Sequence, residues 1–225
     1  MKKSIFLAAA AFAAIIFGCR SRGGAPAGQL RSGDLVFVAI PLDYVPEGGS
    51  MAEAITASTG SDEMNIIHVA IADVADDGVY IIDATLAHGV DRHPLDTFKA
   101  DFTLKDGSLP TFIIKRLKEP ESAPDCIEKA VSFCGQPYDT AFLKDNGAMY
   151  CSELVRESCL DADGDYIFDD KPMNFKNAEG EYPEYWLELF SSLGMDVPQD
   201  VPGTNPQDMS ESPLLRTVRT GEIGR

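Results

Sequence analysis

The sequence predicts an α+β fold, and three observations indicate it. Short runs of aliphatic and β-branched residues, separated by turn-forming residues, are typical of strands. Other segments place apolar residues at helical spacing and end at glycine, as helices do. The length of 225 residues and a hydrophobic content of 44% support one substantial core, which argues against a wholly disordered chain.

Four strands are predicted in chain order. Ser32-Gly33-Asp34 is a turn that leads into an apolar strand over residues 35–40. Residues 66–72 and 79–84 are β-rich runs on either side of Asp76-Asp77-Gly78, a sequence that indicates a hairpin. A further strand covers residues 110–117.

Four helices are predicted, and the end of the chain is predicted to be extended. Helical spacing covers residues 51–58, 124–134, 151–159 and 183–193. The last of these carries an aromatic stripe, which is more typical of core packing than of a ligand site. The proline-rich segment from residue 198 onward is expected to wrap over the surface.

The N-terminus is typical of an export signal. Lys2-Lys3 precede an uncharged apolar run of 13 residues from Ile5 to Phe17, too short for a bilayer span of roughly 20 residues. Phe17-Gly18-Cys19 resembles a bacterial lipobox, which would make residues 1–18 a lipoprotein signal peptide and Cys19 the lipidated residue. An ordinary secretory signal and an uncleaved anchor are the alternatives. Residues 19–30 would then tether the protein to a membrane of the bacterial cell envelope, expected to be the outer membrane, where it would face the periplasm or the cell surface.

The charge balance disfavours nucleic-acid binding. The chain has 19 Lys+Arg and 36 Asp+Glu, a formal net charge of −17 at pH 7. Such a surface repels phosphate backbones and anionic lipid headgroups. We therefore expect no nucleic-acid partner, and contact with the membrane only through the lipid on Cys19.

Export would place the other cysteines in a compartment where disulfides form. Cys151 and Cys159 share one predicted helix and lie roughly 12 Å apart along its axis, whereas a disulfide needs Cα atoms within about 7 Å. The same argument separates Cys126 from Cys134. Bridges between the two helices remain open.

The predicted hairpin places a histidine opposite a carboxylate. With a four-residue loop over residues 74–77, Asp73 pairs with Gly78, and His68 then lies opposite Asp83 on the same face. A carboxylate there can accept a hydrogen bond from one ring nitrogen and leave the other to act as a base. A one-residue slip would destroy this pairing, and a core histidine bonded to a backbone carbonyl is the simpler explanation.

Cys151 lies in the first turn of a predicted helix. The positive end of the helix dipole favours the thiolate there, and a nearby imidazole would complete the ion pair of a cysteine hydrolase. A small buried residue or half of a disulfide would explain the same position equally well.

Three segments together resemble a known family. His68 in IIHVAIA, Asp83 in IIDAT and Cys151 in YCSELV resemble the circularly permuted papain-like amidases of the NlpC superfamily, specifically the YiiX/YebB-like cysteine hydrolases. In this branch the order along the chain is histidine, acid, cysteine. Further similar segments are Ser32 to Phe37, Gly135 to Asp139 and Pro198 to Pro206, so the resemblance covers roughly residues 30–210. The branch often has Glu where this chain has Asp83.

The resemblance implies a fold, a domain division and a set of site residues. The fold would be a circularly permuted papain-like one, with an antiparallel sheet or small barrel packed against helices. Residues 31–175 would form the hydrolase core and residues 176–225 a C-terminal helix and wrap. Catalysis would use Cys151 as nucleophile, His68 as acid and base, and Asp83 to orient His68; Tyr150 and Asp34 would bind substrate. No cofactor and no metal is expected, and His88 and His93 are assigned to a surface loop.

Three functions follow from this resemblance. The leading one is a monomeric cell-envelope cysteine hydrolase that cleaves an amide bond, with peptidoglycan stem peptides as substrate class. The second is a lipid-directed acyl hydrolase or acyltransferase, and the third is a non-catalytic envelope binding module. A broad apolar groove beside Cys151 would favour the second function, and a narrow polar cleft with carboxylate-binding groups would favour the first.

Overall fold

The computed structural model describes residues 29–44, 48–60, 64–119 and 123–223. The predicted signal peptide and the lipidation site at Cys19 lie outside this part of the chain. Within it, no helix has the length and apolar character needed to cross a bilayer. In chain order the elements are β1 Leu35–Ile40, α1 Met51–Thr59, β2 Asn65–Ala75, β3 Gly78–Thr85, β4 Gly89–Pro94, α2 Leu95–Asp101, β5 Thr111–Leu117, α3 Ala123–Ser132, α4 Cys151–Ser158, β6 Lys171–Pro172, α5 Glu184–Ser192, β7 Pro202–Gly203, α6 Pro206–Ser210 and β8 Leu215–Gly221.

A six-stranded antiparallel sheet with the order β4-β3-β2-β1-β5-β8 is the framework of the fold. The predicted α+β class, the four predicted strands and the four predicted helices are confirmed. The hairpin loop is shorter than predicted: Ala75 pairs with Gly78, so β2 and β3 are joined by the two residues Asp76 and Asp77. The expected pairing of Asp73 with Gly78 is wrong, because Asp73 pairs with Tyr80.

Alternate residues of the strands supply two hydrophobic layers, as the period of two requires. On one face, residues such as Phe37 and Ile71 pack against Leu154 and Val155 of α4 and against α3. On the other face, residues such as Val38 and Phe112 pack against α2 through Phe98. The sheet is therefore covered on both sides near β1 and β2, which excludes water from its centre.

A third cluster joins α1 and α5 to the loops around α4. Trp186 and Phe190 of α5 pack edge-on or tilted against Phe142 and Phe175. The aromatic stripe predicted for this helix is confirmed as core packing. This cluster also contains Tyr150, the residue that precedes Cys151, so α5 supports the start of α4.

The end of the chain differs from the predicted extended wrap. It forms the short helix α6 and the strand β8, which pairs with β5 as an edge of the main sheet. Within α6, Gln207 accepts a hydrogen bond from the backbone N–H of Ile66 at 3.2 Å. The segment is therefore an integral part of the fold that supports the start of β2.

One disulfide links the two helices that carry the cysteines. Cys126 of α3 is bonded to Cys159, the residue that caps the C-terminal end of α4. Cys134 and Cys151 are free. The two pairs excluded from the sequence are not formed, which confirms that argument, and the bridge is of the inter-helix type that the sequence left open.

Candidate active site

Cys151 is the first residue of α4 and lies almost completely buried. The hydroxyl of Tyr150, the residue before this helix, accepts a hydrogen bond from Thr204 N at 3.2 Å and does not cap the first turn. The backbone N–H groups of the first turn are thus available near the sulfur, together with the positive end of the helix dipole. Ser152 donates to Thr204 O at 3.1 Å and fixes the first turn against the same loop.

His68 projects from β2 next to an irregularity in the sheet. Val38 pairs with His68, but Ala39 pairs with Ile66, so Ile67 is an extra residue on β2. Bulges of this kind re-aim the neighbouring side chains and are common beside active sites. The ring of His68 packs against Phe102, with ring centroids 4.6 Å apart, and is buried.

Asp83 on β3 holds one nitrogen of this ring. Nε2 of His68 lies 2.8 Å from Oδ2 of Asp83, and both side chains are buried. The observed register pairs Ile71 with Ile82; when continued, it places Asp83 opposite Ala70. His68 and Asp83 are therefore diagonal neighbours, not directly opposite ones as predicted. They still share a face, because the register differs from the predicted one by two residues.

The sulfur of Cys151 and the ring of His68 form one electrostatic unit. Burial by itself lowers the pKa of His68, because it disfavours the charged ring. The Cys151 thiolate, within hydrogen-bonding reach of the ring, and the Asp83 carboxylate more than offset this and raise the pKa of His68 to about 10. Since Asp83 occupies Nε2, Nδ1 is the nitrogen left for the sulfur. The arrangement favours the charged imidazolium form of His68 at neutral pH.

A small pocket opens beside Cys151. Its volume is about 40 Å³. Among the described residues that line it, none has a charged side chain, and more than half are apolar or aromatic: Ile55, Tyr138, Phe142, Tyr150, Met173, Phe175, Trp186 and Pro206. Tyr150, the residue expected to bind substrate, lies in the wall of this pocket. Larger cavities of about 460 and 630 Å³ lie elsewhere, around Asp169 and Leu214, and do not include Cys151.

Asp34 lies elsewhere, contrary to the expectation that it binds substrate. It is fully buried just before β1, where Arg116 of β5 donates to both of its oxygens, at 2.5 and 2.7 Å. The backbone N–H of Arg31 donates to it as well, at 2.8 Å. A carboxylate bound in this way stabilises the turn into the sheet and is inaccessible to a substrate.

His93 is a site residue that the sequence analysis missed. Instead of lying in a surface loop, it is on β4 and buried, with Nε2 3.6 Å from Oδ1 of Asp83. His88, by contrast, has a side chain 43% exposed. The signal that could have revealed His93 is its two-residue spacing from Asp91 on a strand next to Asp83, but that strand was not predicted. Within the described residues, no group of three or more His, Cys, Asp or Glu side chains is arranged to hold a metal ion.

A further carboxyl group is buried on α4. Glu153 lies on the first turn, where its Oε2 accepts a hydrogen bond from Tyr150 N at 3.4 Å. Burial, reinforced by the neighbouring Asp139 carboxylate, raises the pKa of Glu153 to about 8. Asp139 itself accepts the backbone N–H groups of Ala141 and Leu143, each at 2.8 Å. With a pKa of about 8, the Glu153 carboxyl group is mostly protonated and uncharged at pH 7, within the helix that bears Cys151.

A free cysteine at a helix start, facing a histidine and a carboxylate from an earlier hairpin, defines the class of papain-like cysteine hydrolases in permuted order. The comparison with protein families agrees. Residues 29–219 match the family described as "Permuted papain-like amidase enzyme, YaeF/YiiX, C92 family", and the chain belongs to this family of cysteine amidases and peptidases.

A solved structure supports the fold. The crystal structure of metalloprotein yiiX from Escherichia coli O157:H7 is similar to this chain with a TM-score of 0.66 and 22% sequence identity. The similarity covers 87% of this chain and 99% of that one. No curated protein matches the sequence. The predicted family and the circularly permuted papain-like fold are both confirmed.

Proposed function

We propose that the protein is a cell-envelope cysteine hydrolase that cleaves an amide bond with Cys151 as nucleophile, His68 as acid and base, and Asp83 as the group that orients His68. The observation that carries the proposal is the 2.8 Å contact from His68 Nε2 to Asp83, with the free thiol of Cys151 on the other side of the ring. The order of these residues along the chain matches the permuted family.

The reaction proceeds through a thioester. The Cys151 thiolate attacks the carbonyl carbon, and the backbone N–H of Cys151 at the helix start donates to the developing oxyanion. The His68 imidazolium then protonates the leaving amine as the C–N bond breaks. In the second half, neutral His68 removes a proton from water, which attacks the thioester and releases the acid and the thiolate.

Peptidoglycan stem peptides are the proposed substrate class, and the lipid on Cys19 would hold the enzyme near them. The pocket beside Cys151 has a mostly apolar lining, which suits a small apolar side chain of such a peptide. With a net charge of −17, the chain offers no general attraction to acidic peptides. Selectivity would therefore depend on the pocket and on the backbone around α4.

Hydrolysis of an acyl lipid is the second candidate, and the apolar lining of the pocket favours it. The small volume counts against it, because a long acyl chain needs far more room than the described pocket provides. A series of amide and ester substrates of increasing acyl length separates the two candidates. A fall in kcat/KM beyond two or three carbons supports the amidase, whereas a rise with length supports the lipid hydrolase.

Two substitutions at the proposed site test the mechanism. Cys151→Ala and His68→Ala should each lower hydrolysis by at least about 10³-fold. Cys151→Ala should leave thermal unfolding near that of the wild type, whereas His68→Ala should also lower stability, because it leaves the buried Asp83 carboxylate without its partner. Cys134→Ala, which removes the other free thiol, is the matched control and should keep full activity. Turnover at the wild-type rate in either site variant would refute the assignment.

The substrate is identified by trapping the acyl-enzyme. Incubation with envelope extracts, followed by mass spectrometry of the peptide that contains Cys151, should reveal an added acyl group whose mass identifies the bond attacked. Binding of envelope fragments without adduct formation or turnover would instead support the non-catalytic binding module.

A further inference from the structure

Two buried polar atoms face each other on the far side of Asp83 from His68. They are Oδ1 of Asp83 and Nε2 of His93, 3.6 Å apart. Within the described residues, neither atom has a hydrogen-bond partner. His93 pairs with Ile81 across β3 and β4, two residues along the strand from Asp83, so its side chain is a diagonal neighbour on the same face. Buried polar atoms of this kind are rarely left unpaired, because each costs free energy when it loses water.

We propose that His93 is a positioning residue of this site, whose Nε2–H donates to Oδ1 of Asp83 and thereby keeps Oδ2 on His68. The proposal rests on the proposed function of Cys151, His68 and Asp83. A carboxylate held at one oxygen only can rotate about its Cβ–Cγ bond, whereas donors at both oxygens fix its plane. A small movement of either side chain shortens the 3.6 Å separation to a hydrogen bond.

The surroundings of His93 fix its ring. The ring stacks on Phe98 with centroids 6.3 Å apart, and the ring of His88 meets it edge-on at the same distance. Its other nitrogen, Nδ1, lies 3.8 Å from Oδ2 of Asp91, whose side chain is half-exposed. Because the Oδ1 of an ionised Asp83 can only accept, Nε2 must carry the proton that faces it. Polar side chains thus follow one another from Cys151 through His68, Asp83 and His93 to Asp91 at the surface.

Three substitutions of His93 distinguish the effect of its Nε2–H donor from that of its aromatic ring. Gln places its amide nitrogen near the position of Nε2, Asn places it near Nδ1, and Phe keeps an aromatic ring without a donor. We expect His93→Phe and His93→Asn to lower kcat about tenfold, the usual worth of a hydrogen bond to a charged group, with KM nearly unchanged. We expect His93→Gln to stay within about threefold of the wild type.

A readout that needs no substrate accompanies the kinetics. The rate of Cys151 alkylation by iodoacetamide at pH 6 reports the thiolate that His68 maintains, and peptide mass mapping distinguishes Cys151 from Cys134. His93→Phe and His93→Asn should slow labelling of Cys151 several-fold at pH 6, with no change at Cys134. His93→Gln should label like the wild type.

Two results would overturn the proposal. One is labelling and kcat equal to wild type in His93→Phe. The other is an equal loss in His93→Gln and His93→Asn, two polar variants of similar size, because it would indicate a merely structural role. If instead Cys151→Ala retains activity, the failure lies with the proposed function, and labelling at pH 6 still tests whether His93 supports the thiolate.

Discussion

Two aspartates of the sheet are equally buried but differently bound. Asp34 receives hydrogen bonds on both oxygens from Arg116 and another from the backbone of Arg31. Asp83 receives a single one, from His68, and its Oδ1 has no partner within the described residues. The partner of Asp34 is a permanent cation, whereas the partner of Asp83 is a ring that can gain and lose a proton.

The difference separates a structural carboxylate from the carboxylate that we propose acts in catalysis. The negative charge of Asp34 is balanced by Arg116, which stays positively charged, so the pair contributes to the stability of the fold. Asp83 stabilises the charged form of His68, so its contribution depends on whether that ring is protonated. Burial alone therefore does not identify the functional acid; the nature and number of its partners do.

The largest effect is expected from breaking the structural pair. Asp34→Asn leaves Arg116 buried without its counter-charge and should lower the free energy of unfolding by about 3–5 kcal/mol. Activity per folded molecule should not change, because Asp34 lies outside the pocket. Denaturant unfolding and active-site titration measure the two quantities. Loss of activity without loss of stability would contradict the structural assignment.

Glu153 extends the comparison to a third buried carboxyl group. Its pKa of about 8, against 4.5 normally, means that the folded state binds its proton more tightly than the unfolded state does. Its stabilising contribution is therefore complete below about pH 4.5 and is lost as the pH rises through about 8.

Glu153→Gln should remove this loss. Relative to the wild type, the variant should gain on the order of 2–3 kcal/mol of unfolding free energy between pH 5 and pH 9. Glu188→Gln, at an exposed glutamate of α5, is the control. Parallel stability curves for Glu153→Gln and the wild type across this range would show that Glu153 is ionised in the folded protein.

The smallest effect is expected at Asp83. Asp83→Asn keeps an oxygen that can accept from His68 but removes the charge, so kcat/KM should fall only about tenfold. Because the carboxylate helps to raise the pKa of His68, the alkaline limb of the pH–rate profile, near pH 10 in the wild type, should move to lower pH. A rate and profile identical to wild type would show that another residue orients the ring.

The interior of the sheet could be predicted from the sequence, but its edges could not. β1, β2, β3 and β5 are rich in aliphatic residues because both of their faces are covered. The edge strands β4 and β8 were missed. Their sequences, GVDRHP and LRTVRTG, carry charges and only one and two hydrophobic residues respectively. Edge strands tolerate and use such charges, so their hydrophobic pattern is weak.

The site residues follow the same division. His68 and Asp83 stood out because each lies in a strongly apolar strand segment, and Cys151 stood out because it begins a helix with an apolar face. His93 was not recognised as part of the site because β4, the strand that carries it, was not predicted. The role of Asp34 could not be seen either, because Arg116 follows it by 82 positions and only the pairing of β1 with β5 brings them together. The predicted hairpin register was wrong by two residues, but His68 and Asp83 were still predicted on the same face, because a shift of two residues keeps every side chain on its face.

The bond between Cys126 and Cys159 gives the enzyme a dependence on its surroundings. The disulfide joins α3 to the C-terminal end of α4, the helix that carries Cys151 at its N-terminal end. The loop that it closes, from Cys126 to Cys159, includes Cys151 and the segment before it. Where thiols are kept reduced, the same polypeptide would have to hold this segment by packing alone. We therefore expect the fold to be most stable wherever this disulfide stays oxidised.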